Sequence, residues 1–351
     1  METDKSSLSI IFYGTGADAE DFYQAVLFWN EYWQDRVVCV VDGSPEKQGS
    51  YFHNYRIYSP DHIRDCAFDL VVILSTRYEK EIRDNLFRNY GVEEKKIIGR
   101  IEYWKRCCIN YQYHRNLELN QKKGSTDLRH GFDISKTVVY TAVFGDYDNL
   151  KSPAIVDKDV TYVCFTDDRS LKSDVWNMEY VKTAKDDDRA FGIRKYKLMP
   201  HKWFPEFTTS VWIDASLEIC GSINEYINRF SIYGELLLFP HPERWCVYDE
   251  GAEVIRLRKA PKIQVIRQLS HYVDEGYPED NGLYCGGVIV SDTKNESIQR
   301  FYEEWLLQVE KYTRRDQLSL PYVSYKNDLN LDLCNLNIFG NEYMKYYAHK
   351  N

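Results

Sequence analysis

Short apolar runs alternate with amphipathic stretches over residues 1–105, the pattern of a parallel sheet with intervening helices. Leu8–Tyr13 reads as a strand, Gly14-Thr-Gly16 as a tight turn, and Ala17–Tyr32 as a helix with Phe22, Ala25, Val26 and Trp29 on one face. Val37–Val41 is a second strand ending in Asp42-Gly43. A short helix over Asp61–Cys66 and a strand over Leu70–Leu74 follow. Tyr78–Tyr90 is a helix stopped by Gly91, and Ile97-Ile98 is a short fourth strand. Residues 106–135, with the stretch just before them, are polar and basic and read as a helix followed by a linker.

A new domain opens at Lys136 and runs to 351. Its predicted strands are Thr137–Phe144, Val160–Thr166, Ser210–Ile213, Glu235–Phe239 and Gly287–Val290. Its predicted helices are Arg194–Trp203, Ile223–Phe230, Lys262–Glu275, Ser297–Thr313 and Arg315–Tyr325.

Composition narrows the class. A chain of 351 residues, 44% hydrophobic and 28% charged, has enough apolar material for two cores and is not a disordered protein. Its apolar runs are strand-sized, far short of the ~20 residues a bilayer span needs. Met1 to Leu8 is polar, so no secretory signal is expected. A net charge of −9 argues against a nucleic-acid-binding face but leaves room for a local basic pocket. The nine cysteines include no CxxC pair, and Cys107 and Cys108 are adjacent, which is poor disulfide geometry. They are read as reduced and without zinc, in a cytoplasmic protein that works free or at the inner face of a membrane. The aromatics, 29 Tyr, 16 Phe and 8 Trp, are read as core filling, with sugar stacking as the alternative.

Two places carry chemistry. Gly14-x-Gly16-x-x-Ala19 follows a strand and opens a helix, the setting in which glycines admit a pyrophosphate to a helix N-terminus. Asp42, ending the second strand, is placed for a ribose hydroxyl. Gly14, Gly16 and Asp42 are therefore the cofactor candidates of the first domain, or else purely structural turn residues. In the second domain three strands end in polar clusters: Phe144-Gly145 with Tyr147 and Asp148, then Asp167-Asp168, then Asp214 with Ser216. Acids at one sheet edge suit a metal, a ribose or a nucleobase; caps and turns are the alternative use of the same residues.

The opening IIFYGTGADAEDF, with VVDGSPEKQGSYFHNYRIYSPDHI and DLVVILS, resembles the small Rossmann-like domains of bacterial polysaccharide enzymes. The pieces VVYTAVFGDYDNL, YVCFTDD, RKYKLMPHKWFPEFTTSVWIDASLEI, FPHPERWCVYDE, LYCGGVIVSD and YTRRDQLSLPYV occur in order over about residues 137–325. Together they resemble a glycosyltransferase-like family, first catalogued as a domain of unknown function, whose plant members are tied to mucilage and pollen growth. The fold expected is α/β: a small N-terminal Rossmann-like parallel-sheet domain followed by a GT-A-like domain.

The resemblance implies sugar transfer from a nucleotide-sugar donor to a glycan or lipid-linked glycan acceptor, in bacterial surface or capsular polysaccharide synthesis. Partners in a polysaccharide assembly complex are part of this expectation. Asp214 stands where such enzymes begin an Asp-x-Asp motif for Mn2+ or Mg2+, but Ser216 fills the third place, so metal dependence is expected to be weak. Arg194 and Lys197, one turn apart on a helix, are assigned to the diphosphate. His241, Arg244, Gly286, Gly287 and Gln317 are assigned to the acceptor side, with His241 or Glu250 as alternative bases. Asp316 is the expected general base. The rival readings are a nicotinamide-dependent oxidoreductase using the Gly14 turn and a non-catalytic nucleotide-sensing scaffold. Nucleotide-sugar hydrolysis separates both from transfer.

Overall fold

In the computed structural model, which describes residues 7–27, 33–124, 131–145, 148–182 and 189–348, with the backbone alone at 189–191, contacts divide the chain into two units, 1–111 and 112–351.

In the first unit the apolar run Ser9–Tyr13 forms β1, and α1 follows over Ala17–Leu27. The expected continuation of this helix to Tyr32, with Trp29, lies outside the described residues. Strands β2 (Arg36–Val41), β3 (Tyr51–Phe52), β4 (Tyr55–Tyr58) and β5 (Leu70–Ile73) come next. Helix α2 (Glu79–Tyr90) ends on Gly91, whose φ of 66° suits glycine at that position. Strand β6 (Ile97–Gly99) leads into α3 (Arg100–Lys122), which crosses the division of the chain. The sheet order is β3-β4-β2-β1-β5-β6, parallel except for the β3–β4 hairpin. That hairpin escaped the sequence pattern: its turn carries His53 at φ 50° rather than a glycine, and β3 is two residues long. The stretch Asp61–Cys66 is a 3-10 turn over Pro60–Asp65.

The second unit is built on β7 (Thr137–Val143), buried at every position. Successive residues point to opposite faces. Tyr140 and Ala142 join one core and Val139 and Val143 the other, so both faces must be covered. The elements that follow are β8 (Val160–Thr166), β9 (Asn177–Tyr180), α4 (Arg189–Lys197), α5 (Pro200–Trp203), β10 (Thr209–Ile213), β11 (Leu217–Ile219) and α6 (Ile223–Phe230). After them come β12 (Leu236–Pro240), α7 (Val247–Arg256), α8 (Lys262–Asp274), β13 (Tyr284–Asp292), α9 (Glu296–Lys311), α10 (Asp316–Lys326), β14 (Leu331–Leu333) and β15 (Met344–Tyr346). The expected single helix 194–203 is two, because Pro200 opens a new helix. Helix α7 is not among the expected helices; its Gly251 lets α8 approach so closely that a Cβ there would run into Leu269.

The main sheet runs β14-β12-β13-β10-β7-β8-β9, parallel except that β13 is antiparallel to both its neighbours. This α/β order is consistent with the GT-A-like fold that the resemblance implies. The largest fully buried side chains of the described residues are all aromatic, Trp212 and Trp305 foremost, so these rings fill cores.

Candidate active site

Parallel strands β7, β8, β10 and β12 end at the edge where antiparallel β13 begins. Asp214 follows β10 directly, and its N–H donates to the Gly287 carbonyl at 2.8 Å. Two residues back on the same strand face, Trp212 donates from Nε1 to Asp214 Oδ1 at 2.6 Å. The period-2 rule applied to Ser210–Ile213 points to this partner, because residues two apart share a strand face.

Helix α4 delivers Arg194 and Lys197 in its last turn. Lys197 is 5% exposed. Its Nζ lies 2.5 Å from Asp316 Oδ2 and 3.7 Å from Asp214 Oδ1, and 5.7 Å from the centre of the Trp212 ring. Arg194 Nη2 stands 3.5 Å from Asp316 Oδ1. Tyr140 donates to the Lys197 carbonyl at 2.8 Å, and Trp305 Nε1 to the Asp316 carbonyl at 2.9 Å, so core aromatics fix both backbones. Two acids and two cations thus share one pocket, as burial of charge requires. Burial pushes the Asp316 carboxyl up, but the charges of Lys197 and Arg194 outweigh it and hold the group well below the usual carboxylate range.

Gly286 leaves the backbone bare beside this cluster: a Cβ there would sit 2.9 Å from Lys197 Nζ and 3.6 Å from Asp316 Oδ2. At Gly287 the nearest neighbours of a Cβ would be Ile338, Leu217 and Asp214. The pairing of β12 with β13 jumps from Leu238–Ile289 to Phe239–Cys285, so both glycines also lie in a bulge. Gln317 follows Asp316 in the first turn of α10.

The other predicted residues are less well aimed at this pocket. Phe144 is 3% exposed and stacks on Tyr196 within the core. Gly145, at φ 61°, donates to Asp167 Oδ1 at 2.9 Å, which ties the ends of β7 and β8. Asp168 is exposed and caps its own turn through the N–H and hydroxyl of Ser170. Asp148 is half-buried, and Tyr147 lies outside the described residues. Ser216 is buried, with its carbonyl accepting from the Tyr347 N–H.

His241 follows β12 and serves its own loop, with Nδ1 accepting from the N–H groups of Glu243 and Arg244 at 3.2 and 3.1 Å. Arg244 pairs with buried Glu250 at 2.8 Å. Gln112, which the sequence placed in a linker, donates to the His241 and Arg244 carbonyls and accepts from the Leu283 N–H. Cys285 lies between the two groups: burial, then Glu250 and Asp214, push its thiol up and disfavour the thiolate.

In the first unit Gly14 has φ 103°, a conformation that favours glycine. Asp42 accepts from the Thr15 N–H and hydroxyl at 2.9 and 2.6 Å and from the Ser44 N–H at 2.9 Å, while Lys47 Nζ stands 3.3 Å away. The first turn of α1 holds Asp18 and Glu20, charges that oppose a bound phosphate. Cys39, His62 and Cys66 come within 4.8 Å of one another, a grouping that spacing along the chain could not show. The two sulfurs are 3.8 Å apart, and the Cys66 thiol donates to the His62 carbonyl.

The family model described as TOD1/MUCI70, glycosyltransferase-like domain, matches residues 121–350. One described as C2185-like, N-terminal, matches residues 6–98. Among curated proteins the chain is similar to the "Probable hexosyltransferase MUCI70" of Arabidopsis thaliana, 25% identical over 235 residues, with 56% of this chain and 40% of that protein covered. The chain therefore matches less than half the length of that relative.

Proposed function

The chain belongs to the TOD1/MUCI70 glycosyltransferase-like family, and from that premise we propose that its second unit transfers a hexose-type sugar from a nucleotide-sugar donor to a glycan acceptor, in the synthesis of a bacterial surface polysaccharide. The observation that carries this reading is the pairing of Arg194 and Lys197 with Asp316 beside the bare backbone of Gly286. Two preplaced cations stabilise the charge that develops on a departing diphosphate without reorganising. Asp316, while paired with both, is a weak base. Phosphate oxygens that draw Lys197 and Arg194 away return it toward an ordinary carboxylate, able to take a proton from the acceptor hydroxyl. Asp214, held by Trp212, faces the donor sugar.

The residues present fit a divalent ion poorly. Asp214 supplies a single carboxylate, one oxygen of which is already bonded, and the Lys197 ammonium at 3.7 Å repels a second cation. No step is therefore assigned to a metal, and transfer is expected to persist largely in chelator.

The test is a panel of nucleotide sugars incubated with the full chain, with and without manganese, and followed by mass spectrometry. Release of a nucleoside diphosphate from at least one donor supports the reading. Failure to bind or turn over any uridine, guanosine, cytidine or thymidine diphosphate sugar overturns it. Activity that vanishes in chelator and returns with manganese overturns the metal-independent part alone.

A further inference from the structure

Helix α8 has two apolar faces. Val265 and Tyr272 are buried and hold it to the core. On the opposite side Ile263 is 73% exposed, Ile266 42% and Val273 61%. At helical spacing these residues and Ser270 fall in one stripe, at i, i+3, i+7 and i+10. Lys262 and Arg267 lie on either side of it. The turn leading into the helix adds Leu257, 42% exposed.

The charge along this stripe is mostly basic, with exposed Asp274 at its far end. Between Glu253 and Asp274 the sequence VIRLRKAPKIQVIRQLSHYV contains five basic residues and no acid, in a chain of net charge −9. Arg256 is paired with Glu253 at 2.6 Å. Arg258, Lys259, Lys262 and Arg267 are all exposed.

We propose that the face from Leu257 to Val273 docks on an anionic membrane surface. Exposed aliphatic side chains ringed by cations match a lipid interface, where the apolar groups enter the acyl boundary and the cations meet the headgroups. A polyanionic glycan would use the cations but has no use for bare isoleucines, and the stripe carries no aromatic ring for a sugar to stack on. A second copy of the chain would cover the apolar stripe but, across a two-fold axis, would bring these cations face to face. No helix of the described residues is long and apolar enough to cross a membrane. The inference does not depend on the transferase reading.

The experiment is co-sedimentation of the full chain with two kinds of vesicle: phosphatidylcholine alone, and phosphatidylcholine with about one third phosphatidylserine. Binding is expected to the second only, and to weaken as salt rises. Lys259→Glu with Lys262→Glu should lower partition by at least about tenfold, given the contribution of each cation near a charged surface. Ile263→Asp with Ile266→Asp should abolish binding even at low salt. Both pairs are exposed, and circular dichroism checks that the variants stay folded. Three results would overturn the proposal. One is no binding to anionic vesicles at low salt. The second is binding unchanged in the isoleucine variant, which would mark a simple polyanion site. The third is a wild-type dimer, seen by sedimentation, that Ile263→Asp dissolves.

Discussion

Asp42 and Asp214 each stand at the carboxyl end of a parallel strand, and along the sequence they look alike. Their surroundings differ. Asp42 receives two donors from Thr15 of the Gly14 turn and one from Ser44 of its own loop, with Lys47 beside it, and its side chain is 9% exposed. An ionised carboxylate has about four acceptor positions, so this one is saturated. It latches the Gly14 turn to the start of the next loop. Asp214 is held from one side by Trp212, stands 3.7 Å from Lys197, and is 42% exposed. One acid closes a structure and the other is presented to solvent beside a charged pocket. An acid at a strand end therefore says little about function until its hydrogen bonds have been counted.

The largest effect should come from the anion that holds both cations. Asp316→Asn is expected to lower turnover about 100- to 10,000-fold, the range of general-base assistance. Nucleoside diphosphate affinity should stay at wild type or tighten, because Arg194 and Lys197 are then free for the phosphates. Steady-state kinetics beside calorimetry separate the two quantities. Weakened diphosphate binding would instead make Asp316 a donor-site residue.

Next in size is the cost of removing a shared cation, which also sets the two regions against each other. Lys197→Met leaves Asp316 buried with Arg194 as its nearer remaining partner, and should cost about 3–5 kcal/mol of stability in urea denaturation. Lys47→Met removes a cation that is 39% exposed and contacts Asp42 at 3.3 Å, and should cost less than about 1 kcal/mol. Equal losses would mean that Lys197 is no better buried than a surface lysine.

Most of the scaffold was legible because its signals are local. The run TVVYTAV, the Ile223–Phe230 stripe and Gly91 as a helix stop all rest on residues close together in sequence. So was the Arg194–Lys197 face, since i, i+3 neighbours on a helix meet whatever the fold. The Lys197–Asp316 pair, 119 residues apart, was not legible, because only the tertiary fold brings α4 to the start of α10. Gln112 was missed for a similar reason: a polar residue in a polar stretch gives no sign that it will bridge His241 and Leu283. Asp42 is ambiguous in the opposite sense. Its position matched a ribose-binding acid, but the competing donors came from Thr15 and Ser44, which any turn of that composition can offer.

Exchanging the carboxylates for amides tests the contrast directly. Asp214→Asn keeps an oxygen for Trp212 and should leave stability near wild type while lowering turnover about 100- to 1,000-fold, the usual size of a lost electrostatic contact at a reacting centre. Asp42→Asn should do the reverse: turnover unchanged and stability lower by about 1–3 kcal/mol, because a donor of the Thr15–Ser44 set loses its acceptor. Activity assays and urea denaturation on both variants give four numbers. Loss of turnover in Asp42→Asn would place the glycine turn in the reaction after all.

The smallest effect is a pH signature that separates latching acids of the two units by sign. Burial pushes Asp42 up, but the Thr15 hydroxyl, the Ser44 N–H and Lys47 outweigh it, and its pKa lies below the ordinary 3.8. The folded state then binds this proton less readily than the unfolded state. Its stabilisation is present above pH 3.8 and is lost as pH falls through the lower native value. Asp332, in β14, is 1% exposed and accepts from the N–H groups of Ile232, Tyr233 and Gly234. Burial outweighs these bonds and raises its pKa to about 6. Here the folded state binds the proton more readily, so the contribution is full below 3.8 and disappears as pH rises through 6. Urea midpoints measured from pH 7 to pH 3 should therefore show a gain on acidification in wild type that Asp332→Asn lacks, of no more than about 3 kcal/mol. Asp42→Asn should keep that gain and lose part of the decline at the acid end. A gain that survives in Asp332→Asn would mean that its carboxylate stays ionised on the three backbone donors, like Asp42 on its own.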